Sequence, residues 1–90
     1  MPRKPSLNIA ALLRRGESEG VEFKESFGRA AIETVCAFAN TSGGIALVGV
    51  NDQGRVTGTH AAKPALKNWS NQIAQGTGIH PSIKAVALKG

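Results

Sequence analysis

Two groups of side chains in this sequence have the types and spacing to act on an anion. The run Thr41-Ser42-Gly43-Gly44 offers two hydroxyls and backbone N–H groups that no bulky side chain obstructs, which suits a phosphate cradle. Lys24 and Arg55 are expected to flank it as cations, and Arg3 and Lys4 on an N-terminal arm extend the positive charge. The glycines serve equally well as a tight turn between a helix and a strand, and a turn leaves phosphate contact open. Glu22 and Lys24 are two residues apart, so they share a face if the segment is a strand. The simplest role for that pair is a solvated ion pair contributing under about 1 kcal/mol.

These groups must be positioned by a small set of elements. Residues 1–5 hold two prolines and two basic side chains and read as a flexible basic arm. Ser6 is the expected cap of a helix from Leu7 to Arg15, with Gly16 ending it. Residues 20–26 alternate in period two and predict a half-buried strand. A second helix is predicted over Arg29 to Ala39, with an apolar stripe of Ile32, Val35, Cys36 and Ala39. Ile45 to Val50, apolar on both parities, predicts a central strand covered on both faces. Asn51 to Gly54 reads as a turn, and Arg55 to Thr59 as an antiparallel return strand. A third helix over Ala65 to Gln75 and a last strand over Ile83 to Leu88 complete the order helix-strand-helix-strand-strand-helix-strand. The expectation is an α/β (α+β) domain, a small mixed sheet with helices packed on it, over residues 6–90. Because the last strand arrives so near Gly90, these residues are read as the front part of a longer protein.

Charge narrows the partner class. Eleven Lys and Arg against six Asp and Glu give a net charge of +5, which points to a polyanion and most directly to nucleic acid. The basic residues are scattered without any run of like charge, so only folding can gather them on one face. A chain of 90 residues buries only about 60 to 65% of the surface its unfolded form exposes, so its own core is modest. Lone Cys36 excludes a disulfide framework and a zinc cluster, and its apolar setting predicts a buried small hydrophobe. No apolar run is long enough to cross a bilayer and the N-terminus has no signal-like segment, so a cytoplasmic protein without membrane contact is expected.

Other function classes fit poorly. The run Gly54 to Thr59 lacks the Lys-Ser/Thr ending of a P-loop, and Gly76-Thr77-Gly78 is too short for a dinucleotide fingerprint. His60 and His80 have no partner at ligand spacing and are expected on surface loops. Trp69 shares helical spacing with Leu66 and Ile73, which favours a core position over stacking on a base.

With the elements placed, the sequence resembles the Schlafen and Alba-like domain family of bacterial and archaeal regulators. The resemblance rests on Glu17-Ser18, on Val21-Glu22-Phe23-Lys24, on Ala37 through Gly44, and on Gly49-Val50 with Asp52, Gly54, Val56 and Gly58. It implies an α/β module that binds nucleic acid, here double-stranded DNA, as part of a transcriptional regulator. In some eukaryotic relatives it implies a nuclease that uses Mg or Mn held by two glutamates and an aspartate. Carried onto this sequence, the glutamates would be Glu17 and Glu22. The third position holds Asn51, with Asp52 one residue on, and a one-residue shift at a strand end turns a side chain to the other face.

Three readings follow. The first is a DNA-binding module without cofactor, touching backbone phosphates through Lys24, Arg55, Arg3, Lys4 and the Thr41–Gly44 loop. The second is a metal-dependent endonuclease using Glu17, Glu22 and Asp52. The third is an oligomerisation module whose basic surface is incidental. A homodimer is compatible with either binding reading.

Overall fold

The computed structural model of the protein describes residues 8–59 and 62–86. The elements run α1 (Ile9–Arg15), β1 (Val21–Lys24), α2 (Arg29–Ala39), β2 (Ile45–Val48) and α3 (Lys63–Thr77). The α/β class is as the sequence predicts, but the order is α-β-α-β-α. The expected mixed sheet reduces to one parallel pair, β1 against β2, with Val21 opposite Ile45 and Lys24 opposite Val48. Parallel strands need a long connection, and α2 supplies it, running back along both strands.

Alternation along β1 sets the two sides of the sheet. Glu22 faces α2, where the Thr34 hydroxyl donates to its carboxylate at 2.8 Å. Phe23 faces the other way and is 2% exposed. On that side sit the last turn of α1 and the turn at residues 51–54. A methyl placed on Gly54 would lie 3.0 Å from the Leu13 carbonyl oxygen and 3.5 Å from the Phe23 ring. The turn therefore packs closely on α1 and closes over Phe23. The sheet face of α2 is marked by buried Ala31 and by Thr34, whereas Ala39 of the expected stripe is exposed. α3 lies beside α2, where a shallow groove is lined by Ile32 and Cys36 on one side and Gln72 and Thr77 on the other. Phe27 anchors it by stacking on Trp69, ring centroids 4.7 Å apart and planes 5° from parallel.

Local chemistry explains the ends. Asn8, not Ser6, caps α1, its side-chain oxygen accepting from the Ala11 N–H at 3.1 Å; Ser6 and Leu7 lie outside the described residues. Gly16 ends the helix as expected, its N–H bonded to the Leu12 carbonyl. α3 starts earlier and ends later than its apolar spacing suggests. Pro64 fits its first turn, where a missing N–H is harmless, and the Gly78 N–H closes it on Ala74. Cys36 is half-buried instead of fully enclosed.

Two expected strands do not form. After β2 the chain bends at Gly49, and the N–H groups of Thr57 and Gly58 both converge on the Gly49 carbonyl. Two donors on one carbonyl end the ladder, so the predicted strand at Arg55 to Thr59 shrinks to the single antiparallel bridge Val50–Val56. Residues 83–86 carry no regular structure, and Val86 is 54% exposed; alternation that is not paired with a neighbouring strand does not make a strand. The remainder of that expected strand, Ala87 and Leu88, lies outside the described residues. β2 is likewise half-buried along its length and not covered on both faces, and among the described residues it pairs with β1 alone.

Gly49 is the position where side-chain absence matters most. Its φ is 93°, and a Cβ there would stand 3.0 Å from the Gly58 carbonyl carbon and 3.2 Å from the Thr59 nitrogen. Gly49→Ala is expected to lower unfolding free energy by about 2 kcal/mol or more, since it adds both left-handed strain and a backbone clash. Gly20→Ala, where the same probe meets nothing within 4 Å, is the control. Equal urea midpoints for the two variants would contradict this account.

Candidate nucleic-acid interface

The parallel pairing decides which sequence-predicted site residues meet. Thr41–Gly44 precedes β2 and lies at the amino end of the sheet, where the Ile45 N–H bonds the Gly20 carbonyl. Lys24 closes β1 at the carboxyl end, where its carbonyl accepts from the N–H groups of Gly49 and Val50. Arg55 follows the turn beyond that same end. Four residue steps separate the Gly44 and Val48 levels, roughly 13 Å along an extended strand. The structure thus places Lys24 and Arg55 at one end of the sheet and the Thr-Ser-Gly-Gly loop at the other. Arg3 and Lys4 lie outside the described residues.

At the amino end, half of the loop donors are already engaged. The N–H groups of Thr41 and Gly43 and the Thr41 hydroxyl all bond the Phe38 carbonyl, at 3.0 to 3.1 Å. They close the C-terminus of α2, the end at which the helix dipole is negative and disfavours an anion. Among the described residues, the Ser42 and Gly44 N–H groups take no backbone acceptor, and both residues are exposed. Gly44 is also a packing position, since a Cβ there would stand 2.6 Å from the Phe38 ring.

The carboxyl end carries a further source of positive charge that the sequence reading missed, set among the exposed carboxylates of Glu25 and Asp52. α2 begins here on Gly28, which has no side chain to cap the helix, and its first turn contains no acidic residue. Its leading N–H groups and the exposed Arg29 side chain therefore stand at the same end as Lys24 and Arg55. A glycine followed by a basic residue at a helix start, with no carboxylate in the first turn, was the available signal. The Arg55 backbone is held firmly: Asn51 Oδ1 accepts from the N–H groups of Gln53 and Arg55, both at 3.0 Å, and the Asn51 N–H bonds the Arg55 carbonyl. Among the described residues, Lys24 alone of the cations forms an ion pair, with Glu22 at 3.3 Å. Arg14, Arg15, Arg29, Arg55, Lys63, Lys67 and Lys84 form none.

Each carboxylate named by the resemblance has a separate neighbourhood. Glu17 Oε2 accepts from the Phe23 N–H at 2.9 Å, satisfying a strand-edge donor. Glu22 is bonded by Thr34 and paired with Lys24. Asp52 is exposed in the turn, and Asn51 beside it spends its side chain on that turn. Among the described residues, no three His, Cys, Asp or Glu side chains are gathered as a metal ion would need. The present arrangement does not fit the Glu17, Glu22 and Asp52 ligand set. Trp69 is half-buried and has one ring face stacked on Phe27. His80 is exposed, as expected, and His60 lies outside the described residues. None of the helices searched is long and apolar enough to cross a membrane.

Glu22 gives the region a pH signature. Its pKa is lowered, first by the Thr34 hydroxyl and then by the hydrogen bond and charge of Lys24, against an opposing effect of burial. A carboxylate with a lowered folded-state pKa stabilises the fold above the ordinary Glu range and loses that contribution as pH falls through the lowered value. Its side chain is 39% exposed, so screening keeps the effect below about 1 kcal/mol. Thr34→Val is expected to flatten the loss of melting temperature between about pH 5 and pH 3. An acid limb identical to that of the parent protein would show that this tie is energetically silent.

Comparison with family descriptions matches residues 17–89 to Schlafen, AlbA_2. Comparison with curated proteins and with solved structures found no match. The match begins at Glu17, just past α1, and takes in the whole β1-α2-β2 unit, the Asn51–Gly54 turn and α3. With more than half of its length so matched, the chain belongs to the Schlafen, AlbA_2 family.

Proposed function

We propose that this domain is the DNA-binding module of a transcriptional regulator and that it holds duplex DNA by its backbone phosphates. The observation that carries the reading is the set of unpaired cations: apart from Lys24, the described basic residues lack an acidic partner within the fold. Structural ion pairing does not account for a net charge of +5, whereas a polyanionic ligand does. Family membership supports the same class of ligand.

Contact is centred on the carboxyl end of the sheet, where Arg55, Arg29 and the start of α2 supply positive charge. Lys24 contributes less because Glu22 already holds it. The Thr41–Gly44 loop adds the Ser42 hydroxyl and two amides as a secondary contact, and Arg3 and Lys4 extend along the backbone as an arm. On this reading the module works in the cytoplasm and pairs into homodimers.

A titration of fluorescent duplex DNA over a series of KCl concentrations tests the reading. Binding is expected to weaken linearly in log-log form with salt, the slope measuring about 0.9 per phosphate neutralised. Lys24→Ala is expected to change that slope by less than one contact's worth, because its charge is shared with Glu22. Absent or salt-independent binding would remove the proposal and leave oligomerisation as the better account.

A further inference from the structure

We infer that Arg14, Arg15 and Arg55 form one anion-binding surface that seats the phosphates of a nucleic-acid backbone. The inference rests on the DNA-binding reading above and assigns it a place. The residues are distant in sequence, and Arg14 and Arg15 open no recognisable motif; the fold brings them to Arg55. The turn at residues 51–54 packs on the last turn of α1 so closely that a Cβ on Gly54 would be 3.0 Å from the Leu13 carbonyl oxygen. Arg55 directly follows Gly54 and Arg14 directly follows Leu13. Chain geometry then holds the Arg14 and Arg55 Cα atoms within about 11 Å.

All three arginines are exposed, and none forms an ion pair among the described residues. Gathering like charges without pairing any of them to a carboxylate is unfavourable for the isolated fold. The negative C-terminal dipole of α1 partly compensates Arg14 and Arg15 and to that extent lessens their pull on an anion, whereas Arg55 has no such partner. The neighbouring acids offset part of this charge without forming an ion pair with any of the three arginines. Glu17 is turned to the Phe23 N–H, and Glu19 and Asp52 are exposed and unpaired.

Both supports are rigid before any ligand arrives. Arg55 is gripped through its N–H by Asn51 Oδ1 and through its carbonyl by the Asn51 N–H. α1 is closed immediately beyond Arg15 by the Gly16 N–H on the Leu12 carbonyl. Little backbone ordering remains to oppose binding. Guanidinium groups suit the ligand, because their planar forks bond phosphate oxygens in pairs and they surrender water more readily than an ammonium.

The test compares the 90-residue chain with Arg14→Gln/Arg15→Gln/Arg55→Gln, with Arg55→Gln alone, and with Lys63→Gln/Lys67→Gln on α3. Each is titrated with fluorescent duplex DNA across KCl concentrations, with a thermal melt to establish folding. The triple variant is expected to lose up to about 2.7 from the log-log salt slope, 0.9 per contact, and at least about tenfold in affinity. Arg55→Gln should lose about one contact's share, and it carries the test if the triple variant melts early. The α3 double variant should fall clearly less than the triple.

An unchanged slope in folded triple variant and in Arg55→Gln, while the parent binds DNA, would overturn this surface and leave the DNA-binding reading standing. Equal losses in the α3 variant would overturn it as well, in favour of diffuse charge. Displacement of the DNA by poly-glutamate at matched charge concentration would point to an acidic protein partner and also overturn it. No binding by the parent chain would remove both readings together.

Discussion

The parallel pairing of β1 with β2 is the constraint on which the rest of the molecule depends. Once Val21 lies beside Ile45 and both strands run the same way, the connection between them must return along the sheet, and α2 does so. That return puts the start of α2 at the carboxyl ends of the strands and its finish at the amino ends. It separates two kinds of loop electrostatically. The loop after the helix meets the negative end of a dipole, while the segment before the helix stands at the positive end. Open α/β sheets bind ligands outside the carboxyl ends of their strands for related reasons. Here the cations Arg29 and Arg55, with Lys24, occupy that end.

The pairing is held by very little buried material. Among the described residues, Phe23, Ala31, Val50 and Ile73 are the buried apolar side chains. One comes from each strand region, one from α2 and one from α3, so each layer contributes a single plug. What closes the layers is contact between connections: the 51–54 turn against Leu13 and Phe23, and Phe27 against Trp69. In a domain this small the turns act as walls of the core. A basic surface built on one of those turns is therefore attached to the most rigid part available, because moving Gly54 would uncover Phe23.

The sequence made local features legible where one element's own pattern was sufficient. α2 is found at Arg29–Ala39, the bounds that its spacing and Gly28 imply. β1 and the 51–54 turn are where alternation and the Asn-Asp-Gln-Gly run put them. Trp69 is packed, in accord with its spacing with Leu66 and Ile73. What failed was whatever depended on a partner. The strands at 55–59 and 83–88 were read from alternation, yet a strand exists only by pairing, and the converging bonds at Gly49 stop one ladder. The candidate site was incompletely legible for the same reason. Thr41–Gly44, Lys24 and Arg55 are each exposed or half-exposed and chemically apt, but strand direction, not residue type, decides that the loop lies apart from the cations. Nothing in the residue types of Leu13 and Gly54 announces their contact.

The carboxylates illustrate how structural duty limits chemical duty. The Phe23 N–H points away from β2, at the outer edge of β1, and Glu17 supplies its acceptor. If Glu17 were to turn toward a metal ion, that donor would lose its partner, at a cost of about 1 to 3 kcal/mol where water cannot replace it. Phe23 is among the least exposed residues of the domain, so replacement would be poor. Glu22 would in turn have to leave the Thr34 hydroxyl and the Lys24 ammonium, which together favour its charged form where it stands. Asp52 projects from a turn whose backbone is fixed by Asn51. Gathering all three on one ion thus competes with a strand-edge bond and a strand-to-helix bond that the glutamates already make. Binding phosphate with the unpaired arginines requires breaking nothing.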